Sequence, residues 1–357
     1  MPVHTSRDNP APPTPETAAV APEAHPKDTA AIRSLVFVRD RGIVVLWLAL
    51  ILAFSVWGSP YFGTWDNAVL IASAAATAAI YAAGVGVGVM SGALDISIPG
   101  VAALSGVVCG KMLMSNGSVP LSITLALLIG VLVGVVNGLV ALRGYNPLIV
   151  TIGTLSVTSG LAAVISGGYA ISGLTQLTFM GTDRYIGIPA PVWIVIGLYI
   201  VLTLFLTQTR HGLRFAAVGG NMEAVRRSGI NSSVYRVVGF MIGSFCAALG
   251  GLVSVATASE ANPNASPGII FTALTAVALS GVALTGGRGS LPRVLVGALI
   301  LATISNALTI KGIQPYWSTV ITGLLLLFAL GMESSVKTAV ERRLMAAASA
   351  SVHSGRQ

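Results

Sequence analysis

Apolar runs of about 17 to 25 residues, enough to cross a bilayer core of roughly 30 Å as helix, recur along the chain between short polar connections. They fall near 42–58, 67–90, 99–115, 120–142, 147–166, 191–208, 237–258, 269–285, 292–310 and 316–331, about ten in all. Many of the 41 glycines lie inside these runs. That placement suits tightly packed transmembrane helices better than a barrel with alternating faces. The pattern predicts an all-α, polytopic membrane protein.

Composition agrees. Charged residues make up 9% of the 357, against about 25% in soluble domains, and the mean hydropathy is +0.84. Residues 1–38 are rich in Pro, Ala and scattered charge without an apolar period, which predicts a disordered cytoplasmic tail. The tail is too long, acidic and Pro-rich to be the start of a cleaved signal peptide. Residues 39–335 form the membrane domain, and 336–357 a second cytoplasmic tail. With the amino terminus inside, seventeen of the 20 Lys and Arg fall on the cytoplasmic side, leaving Lys111, Arg184 and Lys311 outside. The asymmetry obeys the positive-inside rule and requires an even number of spans. The net charge of +8 therefore reflects membrane sidedness and lipid headgroups, not nucleic acid. Cys109 and Cys246 lie in apolar runs and read as core fillers, with no metal site or disulfide proposed. The stretch 167–190 is open at this level, as an exterior loop with a short helix or a re-entrant segment.

The most charged stretch is the connection 209–236. Inside it, Asn221 is a good N-cap, Glu223 lies where the helix dipole favours an acid, Arg226 and Arg227 where it favours bases, and Gly229 suits the residue after the helix. A short helix over about 222–228 is predicted. Two turns are not stable alone in water, so the helix needs support, for which a soluble partner is the natural candidate. The alternative is a basic loop that only enforces topology.

Asp95, in "SGALDISIPG", is placed between two spans on the cytoplasmic side, with Ser97 as a possible N-cap and Pro99 preset for the next helix. It reads as a cap, as the partner of an arginine such as Arg288, or as part of a gate. Gly286, Gly287, Arg288 and Gly289 read as a tight inner turn that lets helices approach. That stretch echoes the first, since both end in Ser, an apolar residue and Pro, which hints at an internal repeat. Gly130, Gly134 and Gly138 make a smooth face for a neighbouring helix. Asn137, Thr151, Thr154 and Asn306 each read either as interhelical hydrogen-bonding groups or as lining of a substrate path. Tyr169, Tyr316 and Trp317 read as interfacial belt residues. There is no G-x-x-x-x-G-K-[ST] loop, so a P-loop ATPase is not encoded here, and no catalytic residue or cofactor is expected.

The loop around Gly212, Gly219, Gly220, Asn221, Ala224, Gly229 and Ile230 resembles the coupling loop of the permease subunits of bacterial sugar ABC importers of the ribose type. "SGALDISIPGVAALSG", "VNGLVALRGYNPLIVTIGTLSVTSGLA" and "LSGVALTGGRGSLPRVLVGALILATISNAL" are similar to further motifs of that family, and the resemblance covers about 60–335. The chain departs at Ala93, where Gly is usual, at Ile98 and Pro99, where Val and Gly are, and at Leu148, where Phe is commoner. The resemblance implies a bacterial inner-membrane permease, paired with a second copy, fed by a periplasmic sugar-binding protein and driven by a cytoplasmic ATP-binding subunit. That subunit would dock on the 222–228 helix and its flanks, Gly219, Gly220, Asn221, Glu223, Ala224, Arg226, Arg227 and Gly229. Three rivals remain at this level. An ion-coupled secondary transporter would need an embedded acid, which the spans lack. An ABC permease for branched-chain amino acids or nucleosides would share the fold. A membrane enzyme would need a nucleophile–base or metal cluster, which the sequence lacks.

Overall fold

A computed structural model describes residues 26–332, with side chains from residue 41 onward. The helices are α1 (Pro26–Trp57), α2 (Trp65–Met90), α3 (Ile98–Met114), α4 (Val119–Leu142), α5 (Pro147–Ser166), α6 (Thr178–Gly181), α7 (Ala190–Gln208), α8 (Arg210–Gly220), α9 (Met222–Arg227), α10 (Ser232–Ala258), α11 (Gly268–Leu279), α12 (Leu291–Ile310) and α13 (Tyr316–Met332). Six of them, α2, α4, α5, α7, α10 and α12, are long and apolar enough to cross a membrane. The 41–57 part of α1, together with α3, α11 and α13, is apolar but shorter. Two short antiparallel pairings complete the fold, β1 (Ile171–Ser172) with β4 (Glu260–Ala261), and β2 (Arg184–Tyr185) with β3 (Ile188–Pro189).

Two expectations need correction. Residues 26–38 are helical, not disordered, because α1 begins at Pro26. Proline suits the first turn of a helix, and no Pro or Gly follows until Gly42, so the polar stretch runs into the apolar one without a break. Residues 1–25 and the expected tail 336–357 lie outside the described residues. The second correction concerns 209–220, read as loop and observed as α8. Thr209 caps that helix by accepting from Gly212 N at 3.0 Å, and Gly212, Phe215 and Val218 make a buried stripe at three-residue spacing. The charges between them mask the stripe.

The compact unit begins at Ile43, and α10 is its axle. The face of α4 that carries Gly130, Gly134 and Gly138 lies directly on it. A β-carbon at Gly130 would sit 2.6 Å from Ser244 O, one at Gly134 2.6 Å from Phe240 O, and one at Gly138 2.8 Å from Val237 Cα. On other sides of α10, Gly84 of α2 backs onto Cys246 and the Gly243 carbonyl, and Gly251 backs onto Ala102 of α3. Both cysteines are buried and free.

The stretch 167–190 is a compact cover at the end of the bundle away from α8 and α9. It holds α6 and a short 3-10 turn, Thr175–Leu177. Leu174 and Leu177 are fully buried, and Gly181 packs on the backbone of Ala256.

The glycine seam gives a direct test. Gly134→Ala forces α4 and α10 apart, a kind of overpacking that costs about 1–3 kcal/mol, whereas a β-carbon at Gly153 meets nothing within 4 Å. Thermal unfolding of the detergent-solubilised protein should therefore show a clear drop in Tm for Gly134→Ala and none for Gly153→Ala.

Candidate functional site

The connection between α2 and α3 is the irregular passage on which the candidate site is built. α2 ends at Met90, and the chain turns at Ser91–Gly92 and runs without helix or sheet to Ser97 before α3 begins at Ile98. Burial alternates along it. Ser91, Ala93, Asp95 and Ser97 are buried, while Gly92, Leu94 and Ile96 are not, which is the period of an extended chain with one face against the protein. That face lies along α10, where a β-carbon at Gly239 would meet Ser91 and Ala93 and where Ser244 bonds to Asp95. Seven to twelve residues from the start of α10, at about 1.5 Å each, put the passage well inside the bundle. Asp95 was expected in a connection outside the spans. Irregular backbone at such depth persists only where protein or a cavity surrounds it.

Asp95 is the acceptor at the centre of a directed hydrogen-bond chain. Its Oδ1 accepts from Ser97 N at 2.8 Å and from Ser97 Oγ at 2.5 Å, and its Oδ2 accepts from Ser244 Oγ at 3.0 Å. Ser97 Oγ in turn accepts from Asn137 Nδ2 at 3.1 Å, and Asn137 Oδ1 accepts from Thr154 Oγ1 at 2.6 Å. Asp95 is 3% exposed, and Ser97, Asn137 and Ser244 are fully buried. The chain ties the broken passage to α4, α5 and α10 at once. Three residues singled out in the sequence, Asp95, Asn137 and Thr154, thus meet in one network. The partners of Asp95 are hydroxyls and a backbone amide, not Arg288, which is exposed in the 286–290 turn. Ser97 stands at the N-cap position of α3 without a side-chain cap bond.

Thr151 is buried one turn earlier on α5 and donates to Leu148 O, so it does not join the network. Asn306 lies elsewhere. Its Nδ2 donates to Asn67 Oδ1 at 2.8 Å, and Asn67 Nδ2 donates to Phe62 O, which fastens α12 to the start of α2. Ser244 was missed by sequence reasoning, because a lone serine beside glycines in an apolar run carries no signal of its partner. Tyr169, Tyr316 and Trp317 are exposed.

The two glycine clusters read separately in the sequence touch each other in the fold. Gly219 at the end of α8 lies on the Met90 carbonyl, where a β-carbon would overlap it. Gly287 N donates to the same carbonyl at 3.2 Å. A β-carbon at Gly286 would stand 2.6 Å from Gly219 O, one at Gly287 would collide with Gly220, and one at Gly289 would stand 2.7 Å from Met90 Sδ. The end of α2, the end of α8 and the 286–290 turn therefore meet backbone to backbone.

From this junction the chain passes into α9, and the sequence reading of that helix holds in detail. Asn221 Oδ1 accepts from Ala224 N at 2.9 Å, Gly229 has φ of +79°, and Ile230 N closes the end on Val225 O. Val225 points inward, while Asn221, Glu223, Ala224, Arg226 and Arg227 are exposed. Glu223 and Arg227 form an exposed pair at 2.6 Å.

The echo between the two Ser-x-Pro segments also has a structural counterpart. Ser91 Oγ donates to Gly88 O and Ser280 Oγ to Val277 O. Gly92 and Gly281 follow with φ of +74° and +71°, and Ser97 and Ser290 each precede a helix with proline in its first turn. The same stop and start are used twice.

A family model described as "Branched-chain amino acid transport system / permease component" matches residues 67–330. The chain belongs to this permease family. Among curated relatives, the L-arabinose transport system permease protein AraH of Escherichia coli K12 is 33% identical, over 81% of this chain and 88% of its own. The ribose import permease protein RbsC of Bacillus subtilis 168 is 35% identical over 68% and 76%. The D-allose transport system permease protein AlsC of Escherichia coli K12 is 31% identical over 80% and 89%. No solved structure matches the chain. The protein is a multi-pass membrane permease, and the Asp95 network and the α8–α9 junction lie within the matched region.

Replacing Asp95 separates shape from acceptor chemistry. Asp95→Leu leaves the Ser97 amide and the Ser97 and Ser244 hydroxyls without their acceptor, and each orphaned buried group costs about 1–3 kcal/mol. Asp95→Asn keeps the size and one acceptor oxygen. Thermal unfolding should place Asp95→Leu well below Asp95→Asn, and coincident transitions would refute a packed role for the network.

Proposed function

We propose that the chain is the membrane-spanning subunit of an ATP-driven importer for a monosaccharide or a related polyol, with ATP hydrolysed by a separate cytoplasmic subunit. The observation that carries this reading is the likeness, over most of the chain, to permeases named for arabinose, ribose and allose. The family description names branched-chain amino acids, but the relatives just cited are sugar permeases, which favours the sugar. In this reading ten helices cross the bacterial inner membrane, with both termini in the cytoplasm. Two copies enclose the path, and a periplasmic binding protein delivers the sugar. Exposed apolar side chains such as Leu52, Val164 and Leu327 face lipid or the second copy. The basic residues serve sidedness and docking, with no nucleic acid involved.

The coupling step follows from the junction. α9 is too short to stand alone, and it is held by Val225 and by the Gly219–Gly220 backbone at its entry. Its exposed face offers Glu223, Ala224, Arg226 and Arg227 to the ATP-binding subunit. A push on α9 reaches the end of α2 and the Gly286–Gly289 turn through backbone contacts that have no side chain to absorb it. From Met90 the next link is the 91–97 passage, where Asp95, Asn137 and Thr154 connect the motion to α4, α5 and α10. Thr151 and Asn306 brace α5 and α12 beside this route.

The ion-coupled rival draws support from Asp95, a buried acid of the kind such carriers use. Its two oxygens are already engaged by Ser97 and Ser244, however, and it shares no ion pair with Arg288.

Copurification with the candidate ATP-binding subunit tests the reading. Wild-type protein should retain the subunit, and a variant with Glu223→Ala, Arg226→Ala and Arg227→Ala, still inserted and folded, should lose it. Equal retention by both would remove these side chains from the contact. Uptake that persists without ATP and follows an ion gradient would put the rival first.

A further inference from the structure

The chain has a second irregular passage between α10 and α11. α10 ends at Ala258, Ser259 takes a left-handed conformation with φ of +54°, and 260–267 contain no helix before α11 begins at Gly268. α11 has 12 residues, about 18 Å of helix, so irregular backbone at its ends has to complete its crossing of a bilayer core of roughly 30 Å. The α2–α3 pair has the same plan: a long helix, a residue with positive φ just beyond it, an extended stretch, and a shorter helix with proline at its start. In many transporters the substrate site is formed where membrane helices are interrupted.

A cavity of about 260 Å³ lies between this second passage and the first turns of α3, at the end of the bundle opposite α9. Its floor is the start of α3, at Pro99, Ala102 and Ala103. Its polar wall comes from three elements: Tyr81 of α2, Ser254 of α10, and Glu260, Asn262, Asn264 and Ser266 of the second passage. Drug-sized ligands occupy cavities of about 300–1,000 Å³, so this one suits something smaller, such as a single sugar ring.

The hydrogen-bonding state of this wall differs from that of the Asp95 network. Tyr81 Oη and Ser254 Oγ make a long 3.3 Å contact in which either is donor. Glu260 Oε2 accepts from Ser172 Oγ at 3.3 Å, which leaves Oε1 for a ligand. Asn262 Oδ1 holds the turn by accepting from Asn264 N, so its amide remains a donor. The side chains of Asn264 and Ser266 have no hydrogen-bond partner among the described residues, and both are exposed. Tyr81 is 4% exposed, with its ring laid on Gly250, where any β-carbon would strike it.

Resting on the permease reading, we infer that this cavity is a subsite for the neutral polyhydroxylated substrate on its way in, with Tyr81, Ser254, Glu260, Asn262, Asn264 and Ser266 as its hydrogen-bonding wall. Available donors and acceptors stand side by side, as hydroxyl groups require, since each hydroxyl both gives and accepts. The lining holds one acid and no Lys or Arg, so an amino acid would find no cation there for its carboxylate. That asymmetry favours sugars over the amino acids in the family description.

The test uses the full importer, permease with ATP-binding subunit and binding protein, in proteoliposomes supplied with labelled L-arabinose, D-ribose, D-allose and L-leucine. Wild type should import at least one of the sugars. Asn264→Ala with Ser266→Ala, and separately Tyr81→Phe, should lower that import at least about tenfold, the order expected from losing one or two hydrogen bonds, with assembly and sugar-free ATP hydrolysis unchanged. Import within twofold of wild type in both variants would overturn the subsite and leave the permease reading standing. Import of leucine and no sugar by the wild type would overturn both. Asn264→Cys supplies a check that needs no loss of contacts: a maleimide attached there should plug the cavity and stop import, and unimpaired import after complete labelling would also overturn the subsite.

Discussion

Inside a bilayer a peptide N–H or C=O has no water to turn to, so every residue that leaves a helix at depth needs a partner supplied by the protein. The passage 91–97 is where this constraint bears hardest. Ala93 N turns back to Gly88 O, Gly92 N to Val89 O, and Ser97 N is taken by the carboxylate of Asp95. An acid is costly at that depth, but its two oxygens can collect the amide and hydroxyl protons that the interrupted helix leaves without helical partners. Once placed, the carboxylate needs donors of its own, and these fix the neighbours. Ser244 sets the level of α10, Asn137 that of α4, and Thr154 that of α5. The break in the helix and the arrangement of the helices around it are thus one problem with one solution.

Close approach is the second condition, and glycine meets it. Side chains between two helices act as cushions, since they can change rotamer before the backbone moves. Along α4 and α10, and where Gly219, Gly287 and Met90 meet, there is little cushion, because the backbones themselves are in contact. Contacts of that kind transmit displacement because packed interiors are stiff. This gives the short helix α9 its meaning. A two-turn helix on a flexible loop would dissipate a push, whereas one that enters directly from the Gly219–Gly220 backbone hands it to α2.

Features encoded by neighbours in sequence were legible before the fold was known. Each apolar run overlaps an apolar helix, although that at 269–285 is helical only to Leu279, the cap, dipole and glycine signals of α9 fall within a residue of its observed ends, and the spacing of Gly130, Gly134 and Gly138 announced a close neighbour without saying which. Features that depend on distant pairs were not legible. Nothing near Ser244 reveals that Asp95, 149 residues earlier, is its partner, and the depth of Asp95 follows from that pairing and from the packing of Gly239 on Ser91 and Ala93. α8 was hidden because its buried stripe is made of Gly212, Phe215 and Val218 among charges, which reads as loop unless the covering surface is known. The helical start of α1 was obscured for the opposite reason, since its composition resembles a disordered tail while it contains no residue that stops a helix.

The contrast between the two irregular passages bears on where a substrate can bind. A ligand must win its hydrogen bonds from groups that are free or weakly engaged, since displacing a satisfied buried pair forfeits what that pair contributed. In the Asp95 network both carboxylate oxygens are engaged, and nearly all of it is out of reach of solvent. It is built to keep its geometry, which suits a fulcrum. The wall formed by Tyr81, Ser254 and the 260–266 stretch is the reverse, with long contacts and exposed amides and hydroxyls. On this argument the polar residues of the chain divide by saturation. The Asp95 carboxylate has both oxygens engaged inside the protein, whereas the groups left open along the 260–266 wall face the space through which something else passes.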